Sequence, residues 1–554
     1  MVQENGSVSM MQRLLRRSVF SPLRSVTATI PSHWQPSDPW KGQPHLGQPL
    51  AAGSHPVEIM PQTWQNFEWL RHMRDYGGSQ ARTLARRFVT EWIDHHQQWT
   101  PNIWHPLLLS QRLKVLVLTW GWYGASASTS QQQMIVTSIA AQRLILSKDW
   151  RGLKQGNHRV DALASLILAQ AFLDAGDEKE NLDIDAITDA LIKTHLDLIL
   201  TDGCHASRQM DKHIELLKSL IESRIGLGAI LGHTETMTPQ QQEQINTLDD
   251  SILRMGALAR MWRHADGNLI RLLGSREVDA QALDSILDRA GPKGRVTSHA
   301  QEGGFIRMAS GRSVLMMNTG PAPWVMARVM AEGGRPDAGA LAIEFSNGGN
   351  PIFINAGQSK AMAKDAPDMA EALAGTAAFS TLSVDRLNAA DTNAIDETGR
   401  HATNVEAETG PASRGVLAEA KHNGYEQSHG LLHQRRVFLA TGGNDLRGED
   451  HIIYTGAPGL IPHEAVIRFH LHPKINASLS IGGDVMLRLP GTAAAWHFKA
   501  IGADIAVEDS VFLGRDGLEK CRQITLTMAL NAIRHDHIQS VKWGLRRQQS
   551  ARVK

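Results

Sequence analysis

Cysteine is almost missing from this chain: Cys204 and Cys521 are the two among 554 residues, which excludes a disulfide framework and a cysteine-built metal site. Net charge is equally scarce. Lysine and arginine number 57 against 56 acidic residues, leaving +1, so no long-range field marks a nucleic-acid binder. The 25 histidines nevertheless make the charge sensitive to mild acid. No run approaches the roughly 18–20 apolar residues of a membrane-spanning helix, and integral insertion is not expected. Acidic residues are absent between Glu4 and Asp38, a stretch that carries Arg13, Arg16, Arg17 and Arg24 but lacks the continuous apolar core of a secretory signal. Residues 1–40 therefore read as a basic amphipathic leader, expected to be disordered.

What is present is ordinary globular material, 42% hydrophobic and 20% charged. From about Trp64 to about Arg289, segments such as "ARTLARRFVTEWIDHH" and "VDALASLILAQAFLDAG" repeat apolar residues at three and four, with breaks at Gly, Pro, Asn or Asp. After "DRAGPKGRVTS" the texture changes to short alternating runs such as "HQRRVFLATGG" and "EDHIIYTG", separated by turn residues, which predicts packed antiparallel sheets. Helices followed by strands make an α+β multidomain chain. The expected division is a helical domain over 41–290 and a β-sandwich over 291–554.

Two stretches, "GGRPDAGALAIEFSNGGNPIFINAG" and "AGTAAFSTLSVD", resemble the start of the sandwich in the heparinase II/III-like polysaccharide lyases, and "DGCHASRQ", "MWRHADGNLI" and "HGLLHQRRVFLATGGNDLRGED" are similar to its bacterial branch. The resemblance covers nearly the whole chain. It implies an incomplete α/α toroid followed by an antiparallel β-sandwich, and cleavage of a uronate-containing polysaccharide by β-elimination. Such a reaction needs a donor to stabilise the developing enolate, a base for the C5 proton and an acid for the leaving oxygen.

Candidates follow from those needs. In "QGNHRVDALASL", Asn157 and His158 resemble the family's Asn-His pair, the amide neutralising a carboxylate and the imidazole taking the proton; the plain alternative is a helix cap at Asn157. In "TDGCHASRQMDKH", Asp202-Gly203 makes a turn, His205 is a further catalytic candidate, and Arg208 could clamp a carboxylate bidentately. The alternative there is capping by Asp202 and Ser207, with solvated neighbours. Ten of the fourteen tryptophans precede Arg151, and Trp104 and Trp122 are candidates for stacking on sugar rings, although Trp on an amphipathic helix ordinarily fills core. Arg335 and Arg435 complete the substrate-binding set. His429 and His433 in "SHGLLHQRR" would share a face of a strand, which a metal could bridge if other ligands converged; basic residues meeting an acidic polymer are the preferred reading. In "GGNDLRGED", Asp445, Arg447 and Asp450 read as a salt-bridged hairpin.

Two departures from the family pattern stand out. Phe379 occupies the position of a His, and none of the four tyrosines, Tyr76, Tyr123, Tyr425 and Tyr454, lies near "DGCHASRQ". Either Tyr123 or Tyr425 folds back into the cleft, or water and His205 take the acid's role, or the chemistry is lost. The rival function is accordingly a catalytically inactive carbohydrate-binding or envelope polysaccharide assembly protein on the same scaffold. A hydrolase with paired carboxylates is the third reading, without an Asp/Glu pair that the sequence can place. No cofactor is expected. The partner is an acidic polysaccharide, not nucleic acid. Family analogy argues for the cell envelope or periplasm, and the lack of a recognisable signal peptide for the cytoplasm.

Overall fold

Helix signals in the sequence are obeyed locally before any packing is considered. The computed structural model describes residues 26, 28–31, 34, 36–173, 182–232, 237–273, 275, 278–294, 296–321, 337–357, 366–392, 399–456, 461–492, 494–514, 517–530 and 537–548. Helices α1 (Pro44–Ala51), α2 (Pro56–Ile59), α3 (Trp69–Tyr76), α4 (Ser79–His95), α5 (Pro106–Tyr123) and α6 (Thr129–Asp149) are followed by α7 (Asn157–Phe172), α8 (Ile184–Leu196), α9 (Met210–Leu231), α10 (Pro239–Met261) and α11 (Ala280–Arg289). Helix α5 starts with Pro at its first turn behind His105, whose ring accepts from the Leu107 amide at 3.3 Å. Ser128 and Gln131 form a reciprocal capping box on α6. No helix among the described residues is long and apolar enough to cross a membrane.

The chain forms two compact units, one of Met1–Leu198, Ile214–Leu253 and Gln281–Pro292, the other of Ile199–His213, Arg254–Ala280 and Lys293–Lys554. In the helical unit, α5 and α7 contribute an almost unbroken apolar interior, including Leu113, Leu116, Val117, Leu163, Leu166 and Ile167. Arg112 lies in that interior with its guanidinium 4.2 Å from the Trp92 ring and 5.8 Å from the Trp104 ring. It donates to Gln142 Oε1 at 2.6 Å, to the Gln65 carbonyl at 2.9 Å and to the Ile103 carbonyl at 3.2 Å. It pairs with no carboxylate among the described residues, and burial pushes its pKa down to about 9. Trp104 is 1% exposed and belongs to this aromatic core rather than to a sugar-stacking surface. Arg112→Lys, which keeps the charge but loses the planar fork and its stacking, is expected to cost about 1–3 kcal/mol by urea unfolding.

The second unit is a sandwich of two antiparallel sheets. One runs β1 (His299–Ala300), β2 (Phe305–Ser310), β3 (Ser313–Asn318), β4 (Ile343–Asn347), β5 (Asn350–Ile354), β11 (Glu464–Leu471), β16 (Gly517–Ala529), β15 (Asp504–Gly514), with β6 (Leu382–Val384) also on β11. The other runs β12 (Asn476–Leu479), β13 (Val485–Arg488), β14 (Ala495–Ile501), β17 (Ile538–Arg547), β10 (Asp445–Tyr454), β9 (Leu431–Ala440), β8 (Gly415–Tyr425), β7 (Val405–Ala412). Alternation decides which side chains face the partner sheet. Along β10, Leu446, Gly448, Asp450 and Ile452 are buried while Arg447 is exposed. One cluster takes Ile306, Leu315 and Phe353 from the first sheet and Val437, Phe498 and Trp543 from the second. Phe469 and Trp543 meet across it at 4.8 Å.

His429 does not share a strand face with His433. It closes a short helix, α13 (Glu426–His429), which follows α12 (Pro367–Ala374) in chain order. Gly430 at φ 63 then turns the backbone before β9 begins, so the alternation expected from the sequence is interrupted.

Candidate functional site

In the helical unit, Gly156 with φ 143 is the N-cap of α7 and Asn157 is the first residue inside the helix. The cap reading of Asn157 therefore fails. Asn157 is buried and His158 half-buried. Asp161 lies one turn on, four residues from Asn157 and three from His158, hence on the same helix face.

Around Asp161 the helices bring charges together inside an apolar interior. Lys114 of α5 pairs with Asp161 and, at 2.7 Å, with Glu222 of α9. Ser219 Oγ donates to Asp161 at 2.8 Å, and Trp40 Nε1 to Glu222 at 2.7 Å. Lys218 Nζ stands 5.4 Å from the centre of the Trp40 ring. Arg71 of α3 adds ion pairs to Asp38 at 2.8 Å and Glu68 at 2.7 Å. Burial alone would raise the Asp161 carboxyl, but the Lys114 ammonium holds it below its usual range, with Lys218 contributing. Burial likewise opposes the Glu68 charge, and Arg71, Lys218 and His72 pull that carboxyl down to about 2. The Lys218 ammonium is driven the other way, below its ordinary pKa, by burial and by the neighbouring Arg71. The three cations Lys114, Lys218 and Arg71 stand among four carboxylates, Asp38, Glu68, Asp161 and Glu222, so the network is charge-paired and carries no net positive charge. Sequence reasoning missed it. Its signal was a Lys in "QRLKVLVLTW", an Asp in "RVDALASLILAQ" and a Glu in "LLKSLIESRIG", each a charge inside an apolar helical run.

The other candidates drawn from the sequence belong to the second unit, apart from Trp104 in the helical core and Trp122 on α5. His205 is fully buried; its Nδ1 is 2.7 Å from Ser207 Oγ and receives the Ser207 amide at 3.1 Å. Burial, with His213 and Lys212, pushes its pKa down to about 3, so it is neutral in the fold. Arg208, also fully buried, donates to the carbonyls of Gly303 at 2.7 Å, Pro321 at 2.6 Å and Gly304 at 3.0 Å, and to Asn318 Oδ1. Its backbone is left-handed, φ 58, a conformation that non-glycine residues rarely adopt and that these four acceptors hold. Gly320 makes room for it, since a Cβ there would collide with the guanidinium. A clamp on substrate is thus replaced by an internal staple. Asp202 works the same way, accepting from the Cys204 amide at 3.0 Å and the Gly303 amide at 2.7 Å.

Arg435, expected to meet polymer, is buried between the sheets. A chain of polar groups surrounds it. The Gly424 amide donates to His422 Nδ1 at 3.0 Å, which leaves the proton on His422 Nε2; that donates to His433 Nδ1 at 3.2 Å, and His433 Nε2 donates to Asp450 at 2.7 Å. Asp450 also accepts from Arg435 Nε at 2.7 Å and Trp543 Nε1 at 2.8 Å. Asp445 and Arg447, expected to knit a hairpin with Asp450, form an outward pair at 2.7 Å while Asp450 points inward. Trp122 is half-buried in the last turn of α5. Arg335 lies outside the described residues. No three His, Cys, Asp or Glu side chains converge as metal ligands among the described residues.

The tyrosine expectation is corrected. Tyr123 and Tyr425 are both fully buried, their hydroxyls donating to the carbonyls of Leu116 at 3.3 Å and Leu382 at 2.9 Å. Burial raises both phenols well above their ordinary pKa. Phe379 is buried as well, its ring so close over Gly339 that a Cβ there would fall 2.8 Å from it.

Residues 292–544 match the family model "Heparinase II/III-like, C-terminal". The chain is 27% identical over 519 residues to FtsZ-localized protein C of Caulobacter vibrioides, covering 90% of this chain and 84% of that one. Among solved structures it is similar to heparinase III, with TM-score 0.64 at 13% identity over 88% of this chain and 77% of that one. It is similar too to a mutant of the heparan sulfate lyase HepC from Pedobacter heparinus, with TM-score 0.62 at 15% identity over 96% and 87%. These likenesses establish an incomplete α/α toroid followed by a β-sandwich, the polysaccharide lyase fold.

Proposed function

We propose that this chain, whose residues 292–544 match the heparinase II/III-like C-terminal model and whose fold is similar to that of heparinase III, acts on a uronate-containing polysaccharide of the cell envelope by β-elimination, with Asn157 and His158 at the reacting sugar. The observation that carries this reading is the position of the pair at the first turn of α7, on the face where Lys114, Asp161, Glu222 and Lys218 gather. In it the Asn157 amide donates to the uronate carboxylate and to the enolate that forms from it. The name of the relative from Caulobacter vibrioides, FtsZ-localized protein C, supports a cell-associated role.

The proton bookkeeping is narrowed by the buried phenols. With Tyr123 and Tyr425 bonded to main-chain carbonyls, His158 takes the C5 proton, the electron pair forms the C4–C5 double bond, the C4–O4 bond breaks, and the same imidazolium returns the proton to O4. One group doing both jobs must work from one face of the ring. That geometry suits glucuronate and mannuronate, whose H5 and O4 lie on one side, and not their C5 epimers iduronate and guluronate. The expected result is ultraviolet absorbance of an unsaturated uronate from glucuronate or mannuronate polymers and none from iduronate or guluronate blocks. Cleavage restricted to the epimers would overturn the single-histidine scheme.

A second reading, recognition without cleavage, is favoured by Phe379 at the family's His position and by the same buried tyrosines. It predicts binding of these polymers with no chromophore at any pH.

A further inference from the structure

The outward face of the second sheet carries a depression that the elimination chemistry does not use. Its cavity measures about 520 Å³. Register defines it. On β17, Gly544 faces out between Lys542 and Arg546, and its cross-strand neighbours are Lys499 on β14 and Arg447 on β10. The floor is thus a glycine framed on four sides by cations, on strands roughly 4.8 Å apart.

Gly544 is not there for backbone reasons. Its φ is not in the left-handed range, and a Cβ would meet its nearest neighbours, the Leu446 carbonyl and Arg447 Cγ, at 3.6 and 3.9 Å, ordinary contact distances. A strand interior loses stability with glycine, and at Gly544 the missing side chain leaves the floor open to the close approach of a ligand.

Each cation has a carboxylate partner at its rim: Arg447 binds Asp445 through two hydrogen bonds at 2.7 and 3.1 Å, Arg546 shares that carboxylate at 3.0 Å, Lys499 meets Asp484 at 2.6 Å, and Lys542 meets Glu449 at 3.4 Å. All four cationic side chains are more than half exposed, between 59% and 70%. Exposed pairs of this kind contribute about 0–1 kcal/mol each, so a ligand carboxylate can replace an internal one at little cost. Ile501, 75% exposed beside Lys542, adds an apolar shelf of the sort on which the flat face of a sugar ring rests.

We propose that this glycine-floored depression is a secondary binding site for an acidic glycan, holding a carboxylate-bearing segment of the polymer away from the reacting sugar. The ligand class rests on the function proposed above; the site itself does not. Its four-sided charge and shallow floor suit a stiff chain laid across the sheet face. An acidic peptide is the competing occupant.

The test is calorimetric titration of the full chain, in the His158→Ala background so that no probe is shortened, with a hyaluronan decasaccharide, a heparin decasaccharide and a poly-glutamate peptide of matched charge. Gly544→Leu fills the floor without altering charge, and Lys542→Glu reverses one wall. Each is expected to weaken binding of at least one glycan tenfold or more, with the melting temperature unchanged within about two degrees and the affinity falling as salt rises. Failure of both glycans to bind, unchanged affinity in Gly544→Leu and Lys542→Glu alike, or tighter binding of poly-glutamate than of either glycan would each overturn the proposal. Absence of any unsaturated product from the wild-type chain bears on the elimination alone and leaves this titration to be read independently.

Discussion

At pH 5 the sandwich unit is expected to be several kilocalories per mole less stable than at pH 7, because it folds around histidines that must stay neutral. Burial pushes His205 down to about 3, His213 to about 4 and His470 to about 4. In the unfolded chain each titrates near 6.5. Below that value the unfolded state takes up protons that the native state refuses, so stability rises with pH between about 4 and 6.5 and is lost as pH falls through that window. At pH 5 each group costs about 2 kcal/mol. Structure explains the refusal: His213 Nε2 lies 2.9 Å from the Met255 carbonyl while its Nδ1 accepts the His205 amide at 3.3 Å, and His470 bridges Ser510 Oγ at 2.8 Å and the Ala377 carbonyl at 3.0 Å. Protonating His213 would put a second N–H against an amide donor. Carboxylates do not compensate in this range, since Glu68, depressed to about 2, loses its contribution only as pH falls from its unfolded value near 4.5 toward 2. Guanidinium unfolding at pH 7, 6 and 5 measures the effect, and equal midpoints at the three values would refute it.

Asp450→Asn is expected to destabilise the sandwich by about 3–5 kcal/mol. The carboxylate takes three hydrogen bonds, from His433, Arg435 and Trp543. The amide keeps the shape but leaves the Arg435 guanidinium in the core without a counter-charge. It also turns an N–H₂ toward one of its donors. Removing both charges is milder: Arg435→Met with Asp450→Leu should recover part of the loss, because a buried ion pair owes much of its apparent worth to the cost of leaving one partner alone. Melting curves of the single and double variants decide this, and a single-variant shift of less than about two degrees would contradict it.

The architecture was legible because its causes are local. Periodicity at three and four, Pro106 behind a capping residue, and alternation along "DLRGEDHIIY" are each read from neighbours in sequence. The polarity of "TDGCHASRQMDKH" was legible as a surplus but not as wiring, since loops usually lie on the surface and this one is buried: Asp202, His205 and Arg208 satisfy main-chain groups of their own unit. Nothing in sequence announces a left-handed Arg208 or the Gly320 that accommodates it. The helical charges failed to register for the opposite reason. Lys114, Asp161 and Glu222 stand in three helices, and only their convergence turns isolated polar residues in apolar runs into a network. One short helix displaces His429 from the strand that alternation would give it, and the aromatic cluster around Arg112 draws Trp104 into the core.

The most direct measurement compares wild type and His158→Ala on a glucuronate polymer, following the absorbance of the unsaturated product. The account predicts steady growth with the wild-type chain and a rate at least about 100-fold lower in the variant, as expected when a positioned acid–base group is removed. Equal rates in the two, or tight binding of the polymer by wild type with no chromophore formed, would contradict it.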